Sequence, residues 1–272
     1  MDAAPAISAD AWNPQQYEQF RVERQQPFWD LLRLVGVQPV RRAVDLGCGT
    51  GMLTLQLHRE LHAGETVGVD ASPAMLQRAH EISEPGLRFV HADIREIAAG
   101  ERFDVVFSNA ALQWVDDHAS LFPRLKAMLT PGGELAVQVP ANFDHPSHTL
   151  AAEVALEPLF AEATGGYTRE SPVLAPEAYA ELLHQLGFVE QHVRLQVYGH
   201  VLESTDSVVE WVRGTLLTDY AVRMPEALFE GFVARYRERL LEVLGERRPY
   251  FFAFKRILMR ARAPVTPPLQ PP

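Results

Sequence analysis

The sequence predicts an α/β fold, a doubly wound, mostly parallel sheet of seven strands with a helical cap, and three observations lead there. Residues 42–52, RAVDLGCGTGM, read as a short apolar strand, a glycine turn and the first residue of a helix. Apolar runs of strand length then recur, alternating with stretches of helical spacing, the pattern of βαβ units around a parallel sheet. Asp45, Asp70 and Asp93 each fall near the carboxyl end of successive strands, the edge at which open α/β sheets bind ligands.

The elements follow in order. Residues 1–11 are Ala-rich and polar and are expected to be disordered. In WNPQQYEQFRVERQQP, Tyr17, Phe20 and Arg24 fall on one helical face. Residues 12–40 therefore read as an N-terminal helical segment, packed on the core or acting as a lid, with a further helix from Phe28 to Val37 before Pro39. Ala43, Val44 and Leu46 suit a strand covered on both faces. Leu53, Leu57 and Leu61 give the next helix its stripe. Glu65 to Asp70 is the second strand, and Ser72-Pro73 opens a helix with proline in its first turn. Leu87 to Asp93 and Phe103 to Asn109 are strands three and four. His118 is expected on the surface at a helix start, with helix over 121–129, a turn at Thr130-Pro131-Gly132-Gly133 and a fifth strand from Glu134 to Pro140. From Thr149 the pattern changes. Helix is expected over 150–163, broken at Gly165-Gly166, and over 176–186, ended by Gly187. A long alternating strand covers 188–202, helices cover 204–215 and 226–244, and a final strand over 249–262 inserts antiparallel beside its neighbour. The expected divisions are an α/β core at 41–200, a helical cap at 201–246, the last core strand at 247–263 and a proline-rich, disordered tail at 264–272.

The glycine turn narrows the ligand. A dinucleotide fingerprint would need glycine at Met52, and a P-loop would need lysine followed by serine or threonine where Thr50-Gly51-Met52-Leu53 stands. What remains is D-x-G-x-G-x-G, formed by Asp45, Gly47, Gly49 and Gly51. Alternate glycines let the backbone turn tightly and let a ligand lie against it without meeting a Cβ; a generic turn with a structural aspartate would look the same. The pattern resembles motif I of class I S-adenosylmethionine-dependent methyltransferases. That resemblance implies S-adenosyl-L-methionine as cofactor, which has no phosphates and needs no basic residue in the turn. Asp45 would attract its cationic amino end and sulfonium. Asp70 would accept both ribose hydroxyls, with Ala71 and Met75 beside it. Asp93 and Ile94 would flank the adenine, and Asn109, Gln113 and Trp114 would line the cleft. Trp114 could cover the sulfonium by cation–π contact or serve as a large core residue. Each acid alone could equally be a helix cap or a solvated loop charge.

Three stretches narrow the resemblance further: WNP with Tyr17, Phe20 and Glu23-Arg24 ahead of a proline; NAALQWVDDH after the fourth strand; and PANFDHPSH after the fifth. They are similar to the trans-aconitate 2-methyltransferases, and the second is also similar to malonyl-carrier-protein methyltransferases. The resemblance implies methylation of one carboxylate of a small di- or tricarboxylic acid. It directs attention to Trp12, Tyr17, Arg24, Asn142, His145, His148, Tyr198, His200, Arg213 and Arg256 as substrate-binding candidates. The chain departs from the pattern in places. Gly199 separates Tyr198 from His200, which are adjacent in the family; Arg213 follows Trp211-Val212 where the family often has threonine; and Thr50 replaces a common proline. An acceptor carboxylate, with a pKa near ~4, is ionised at neutral pH. Alignment and exclusion of water then suffice, and no catalytic residue is named. Arginine suits the remaining carboxylates as a permanently charged, bidentate partner. The competing readings are a malonyl-carrier-protein or natural-product O-methyltransferase, and a cofactor-binding relative without methyl transfer.

Composition bounds these readings. The 272 residues, 47% hydrophobic, can bury a sizeable core, and the net charge of -10 argues against a nucleic-acid partner. One cysteine, Cys48, cannot form an intrachain disulfide or a cysteine metal cluster. The N-terminus lacks a signal pattern and no apolar run is long enough to span a bilayer. The expectation is a cytoplasmic enzyme acting on a small carboxylic acid, without metal, nucleic acid or membrane, as a monomer or weak homodimer.

Overall fold

Every second residue of β1 (Arg42–Leu46) that reaches one face of the sheet meets a partner at the same level on its neighbours, and this alignment sets the architecture. The other strands are β2 (Glu65–Asp70), β3 (Leu87–His91), β4 (Phe103–Asn109), β5 (Leu129–Pro140), β6 (Val189–Leu202) and β7 (Tyr250–Arg262). They form one seven-stranded sheet in the order β3-β2-β1-β4-β5-β7-β6. Pairings from β3 through β5 are parallel, and β7 lies antiparallel to β5, as expected. The strand order reverses between β1 and β4, a topological switch point at the carboxyl ends of the strands. The computed structural model describes residues 21–97 and 100–265, with side chains from residue 25. Trp12, Tyr17, the segment 1–11 and residues 266–272 of the expected tail lie outside the described residues, as does the Arg24 side chain.

The chain packs as two compact units. One, the α/β unit, holds residues from Arg24 to Pro140, Pro172 to Gln196 and Arg256 onward; the other, the helical unit, holds Ala141 to Ser171 and Val197 to Lys255. The helical unit thus takes in residues 141–171 as well as the 201–246 stretch.

In the α/β unit, α2 (Met52–Glu60) and α3 (Pro73–Ala79) follow β1 and β2, and α4 (His118–Ala127) leads into β5. Ser72 caps α3, its hydroxyl accepting from Met75 N at 3.3 Å, with Pro73 in the first turn. Ahead of β1, α1 (Arg21–Leu32) carries Pro27 in its interior, so the expected break before Phe28 does not occur and the helix stops earlier than Val37. Its Phe28 ring meets Phe107 of β4 edge-on, with centroids 5.5 Å apart. The Thr130-Gly133 turn is absorbed into β5. A register shift opposite Phe103 to Val105 accommodates it, and Gly132 N donates to Pro264 O while Ala263 N donates to Gly133 O. His118 is not at the surface. It is 1% exposed, its Nε2 facing Leu112 O at 2.9 Å and its Nδ1 facing the Tyr179 hydroxyl of α7 (Pro176–Gln185). A carbonyl at Nε2 requires the proton there, so Tyr179 donates to Nδ1; burial keeps the imidazole neutral.

In the helical unit, Pro158 divides the expected helix into α5 (Pro146–Ala155) and α6 (Pro158–Thr164), because proline is tolerated in a first turn and not in an interior. The next helix, α8 (Ser207–Arg213), begins later than Ser204. Thr205 is engaged elsewhere, donating to Gly245 O at 2.8 Å and accepting from Arg247 N at 3.1 Å. The short α9 (Thr218–Ala221) and long α10 (Glu226–Leu244) complete the unit. Its core gathers Val208, Trp211, Tyr220, Phe232, Tyr236 and Phe252, and the buried Tyr236 hydroxyl donates to Ser147 O at 2.9 Å.

Glu134 is the principal buried charge of β5. It is 0% exposed, ion-paired with Arg260 of β7, and accepts from Gly36 N at 2.8 Å. It thereby joins β5, β7 and the connection after α1. Glu134→Ala leaves the Arg260 guanidinium, among the described residues, with the more exposed Glu190, so the urea-unfolding free energy is expected to fall by about 3 kcal/mol. A midpoint within experimental error of the parent's would show that the pair carries no net stability.

Candidate functional site

The glycine turn closes β1 onto β2. The N–H groups of Gly47 and Cys48 both donate to Val69 O, at 2.8 and 3.0 Å, and Gly51 N donates to Cys48 O at 3.0 Å. All three motif glycines have positive φ, at 80°, 55° and 76°, but their surroundings differ. A Cβ on Gly47 would stand 2.1 Å from the Ala111 Cβ, and one on Gly51 would stand 2.6 Å from the Phe89 ring. Gly49 has nothing within 4 Å of that position. Two glycines therefore serve close packing and the middle one leaves open space above the backbone. Cys48 is buried among Leu76, Ala79 and Phe89, where desolvation raises its thiol pKa.

Asp70 holds this turn in place. One carboxylate oxygen accepts from Gly49 N and the other from Ser72 N, both at 2.8 Å. A carboxylate offers about four lone-pair positions, so two remain for further donors. Ala71 beside it is exposed and Met75 buried. Asp45 is 4% exposed and accepts from the Thr54 hydroxyl at 2.6 Å. Its pKa is pushed up to about 7, first by desolvation and further by the Asp70 charge, against the Thr54 bond. Asp93 caps the 3₁₀ turn Ile94–Glu96, accepting from Arg95 N at 2.7 Å, and pairs with the Arg95 guanidinium at 2.6 Å. That partner lowers its pKa. Ile94 lies 3.9 Å from where a Gly47 Cβ would be.

The exit from β4 completes this edge. Asn109 ends the strand, and its Oδ1 is buried without a hydrogen-bond partner among the described residues. Ala110 takes φ 54°, a strained value for a residue with a Cβ. It donates from its N–H to Gln138 O at 2.9 Å, which drives Ala111 against Gly47. Gln113 is buried and donates from Nε2 to Ala110 O at 2.7 Å; Trp114 is half-buried. The structure thus brings Asp45, Gly47, Gly49, Gly51, Asp70, Asp93, Ile94 and Asn109 to the carboxyl edge of four neighbouring strands.

The substrate candidates divide between the units. Arg256, on β7 in the α/β unit, is 6% exposed and its Nη1 lies 3.4 Å from Gln138 Oε1. In the helical unit, Asn142 is buried and accepts from Lys255 N at 3.1 Å, its Nδ2 without a partner among the described residues. His145 caps α5, with Nδ1 accepting from Ser147 N at 3.0 Å. The Ser147 hydroxyl bridges to His148 Nδ1 at 3.0 Å. His148 is held neutral, its pKa lowered to about 3 by desolvation and then by Arg169. Tyr198 and His200 are buried, and His200 stacks on Trp211 at 4.8 Å. Arg213 forms an exposed ion pair with Glu230. Two notable residues escaped the sequence reading. Arg169, half-buried and ion-paired with Asp219, lies in a polar loop with no periodic signal. Gln138 carried a signal, an uncharged polar residue inside the apolar run ELAVQVP. Among the described residues no group of three or more His, Cys, Asp or Glu side chains is placed to hold a metal ion, and no helix is long and apolar enough to cross a membrane.

A family model described as a methyltransferase domain matches residues 43–133. The chain is 45% identical over 260 residues to the trans-aconitate 2-methyltransferase of Deinococcus radiodurans, covering 93% of this chain and 98% of that one. It is 36% identical over 253 residues to the trans-aconitate 2-methyltransferase of Escherichia coli O1:K1 / APEC, covering 92% and 98%. Among solved structures it is similar to Haemonchus contortus phosphoethanolamine N-methyltransferase 2, in complex with phosphomonomethylethanolamine and S-adenosylhomocysteine. The TM-score is 0.55 at 19% identity, over 94% of this chain and 58% of that one, a likeness of fold.

The raised pKa of Asp45 makes stability depend on pH. Between about pH 4 and pH 7 the unfolded chain has released a proton that the folded chain retains. Stability therefore falls as pH rises through that window, by up to ~1.4 kcal/mol per unit, and levels off above it. Asn at position 45 still accepts from Thr54 and does not ionise. Asp45→Asn is expected to unfold at higher urea concentration than the parent at pH 8, with the margin gone at pH 4. Urea titrations at the two pH values check this, and equal margins at both would contradict it.

Proposed function

The chain belongs to the trans-aconitate 2-methyltransferase family, and from that membership we propose that it transfers the methyl group of S-adenosyl-L-methionine to one carboxylate of trans-aconitate or a close di- or tricarboxylic relative. The observation that carries this reading is the extent of the likeness, 45% identity reaching 98% of the Deinococcus relative's length. The cleft fits the cofactor in three respects: the space above Gly49 admits a ligand against the backbone, no basic residue stands in the turn, and the unpartnered Asn109 Oδ1 suits an N–H donor. When bound, S-adenosyl-L-methionine supplies an electrophilic methyl group on a positively charged sulfur.

The residues of the chain then have assignable tasks. Asp70, its turn-holding bonds already made, accepts the two ribose hydroxyls on its remaining lone pairs. Asp45 ionises more readily when a cationic ligand approaches, which offsets the burial that raises its pKa. Asp93 and Ile94 border the adenine, and Ala71, Met75, Gln113 and Trp114 line the cleft. The acceptor is already an anion at neutral pH, so the chain's part is to align it and exclude water. Transfer joins an anion to a cationic centre and leaves a neutral ester and a neutral thioether, so a water-poor site favours the step. Arg256 is a buried cation suited to the acid's other carboxylates. Arg24, the ion-paired Arg213, Asn142, His145, His148, Tyr198 and His200 are further candidates for holding the acid. The single buried cysteine and the net charge of -10 favour a cytosolic enzyme without nucleic-acid partners, monomeric or weakly dimeric.

Incubation with methyl-labelled S-adenosyl-L-methionine and trans-aconitate is expected to yield a labelled ester that releases methanol in base. Transfer only to a carrier protein, or none to any di- or tricarboxylate, would overturn the reading. Asp70→Asn, which keeps one acceptor oxygen, is expected to weaken cofactor binding by roughly 1–3 kcal/mol in calorimetry; unchanged affinity would remove Asp70 from the cofactor site.

A further inference from the structure

Strand pairing places four polar side chains of the α/β unit on one face of the sheet. Asp45 pairs with Phe107, Phe107 with Ala136, and Asn109 with Gln138. Pro140 pairs with Arg256 across β5 and β7. Side chains alternate along a strand and paired residues share a face, so Asp45, Asn109, Gln138 and Arg256 project from the same side, three of them near the carboxyl ends of β1, β4 and β5. Phe28 covers this face farther back, against Phe107.

The orientation of Gln138 follows from its neighbour. A guanidinium has donors only, so the Gln138 carbonyl end faces Arg256, where the Oε1 to Nη1 distance is 3.4 Å. The amide nitrogen must then face the other way. It is buried, on a side chain with 0% exposure, and has no hydrogen-bond partner among the described residues. An unmade bond at a buried donor costs of the order of what a protein gains from one good hydrogen bond, and such groups call for an explanation. Asn109, beside it in the register, has an unpartnered buried Oδ1. The two orphaned atoms are complementary yet do not satisfy each other.

We infer that the Gln138 amide N–H₂, backed by the Arg256 guanidinium, receives a carboxylate of the acceptor acid that is not the one methylated. This rests on the function proposed above and adds a specificity-determining residue to it. The restriction to a spectator carboxylate has a physical reason. The reacting carboxylate loses its charge during transfer, so donors bound to it would stabilise the starting state more than the transition state and slow the step. A carboxylate that stays ionised is held equally in both. Gln138 therefore acts on affinity for the acid and leaves the rate of the bound complex alone. It predicts a preference for acids with at least two carboxylates: an acid lacking the spectator leaves the buried Gln138 amide N–H₂ unsatisfied, the kind of mismatch that polar sites reject strongly.

The test uses the full chain saturated with S-adenosylhomocysteine, so that acid binding is read by calorimetry apart from transfer, with kinetics measured in parallel. Gln138→Met, near in size and without donors, is expected to weaken trans-aconitate binding and raise its KM about tenfold or more, with kcat within about twofold and cofactor affinity unchanged. Gln138→Glu keeps the shape and pairs with Arg256, so it guards against misfolding; its negative charge is expected to abolish measurable binding of the acid. Itaconate, mesaconate and trans-glutaconate each lack a different carboxylate of trans-aconitate. The Gln138→Met penalty is expected to disappear with one of the three and persist with the other two. Acid affinity unchanged in Gln138→Met, as when a buried water merely bridges Gln138 and Asn109, overturns the inference, as does a loss confined to kcat. Transfer to trans-aconitate with unchanged acid binding in the variants refutes the role of Gln138 and leaves the function standing. Binding that depends on Gln138 without transfer in the parent protein does the reverse.

Discussion

The close approach of three chain segments at the ends of β1, β2 and β4 is the constraint on which the rest depends. Ala111, driven inward by the strained Ala110, occupies the space where a Gly47 side chain would be, and Phe89 of β3 does the same at Gly51. Asp70 then ties the turn across by accepting from Gly49 N. The positive φ of the three glycines carries no Cβ penalty, whereas Ala110 holds its strained φ with its N–H donated to Gln138 O. Among the described residues, the space above Gly49 is left open.

Around that edge the protein carries groups that its stability alone would not select. Asp45 is buried, and its carboxylate accepts from a neutral partner, the Thr54 hydroxyl. Asn109 and Gln138 each bury an unsatisfied polar atom, and Arg256 places a guanidinium in the same layer. Local conflicts of this kind concentrate at functional sites, where a ligand satisfies what the folded chain leaves open. Glu134 and Arg260, on the same face but toward the other end of β5, differ in this respect. That pair is closed by Gly36 N and Glu190, and its role is to hold β5, β7 and the chain after α1 together.

Much of the fold was legible along the chain because the signals were local. β2, β4 and α10 fall where apolar spacing placed them, and the Ser72-Pro73 helix start has its expected geometry. The misplacements have definite causes. Pro27 was read as a break and lies inside α1; Pro158 was read through and begins α6. Thr205 takes tertiary partners at the end of α10, so the helix expected from Ser204 starts at Ser207. His118, expected at the surface as a helix-start residue, is instead buried against Tyr179, which is distant in sequence.

The same distinction applies to the candidate site. The succession of strands and helices along the chain, the glycine turn and the acids at strand ends belong to short stretches whose chemistry is set by neighbours in sequence, and residue pattern alone determined them; the order of strands within the sheet did not follow from it. Which glycine is open and which are packed, which arginine is buried and which is paired on the surface, and which way the Gln138 amide faces depend on residues brought together from far along the chain. Only the tertiary structure decided these, because steric contact, burial and hydrogen-bond direction are properties of the folded neighbourhood.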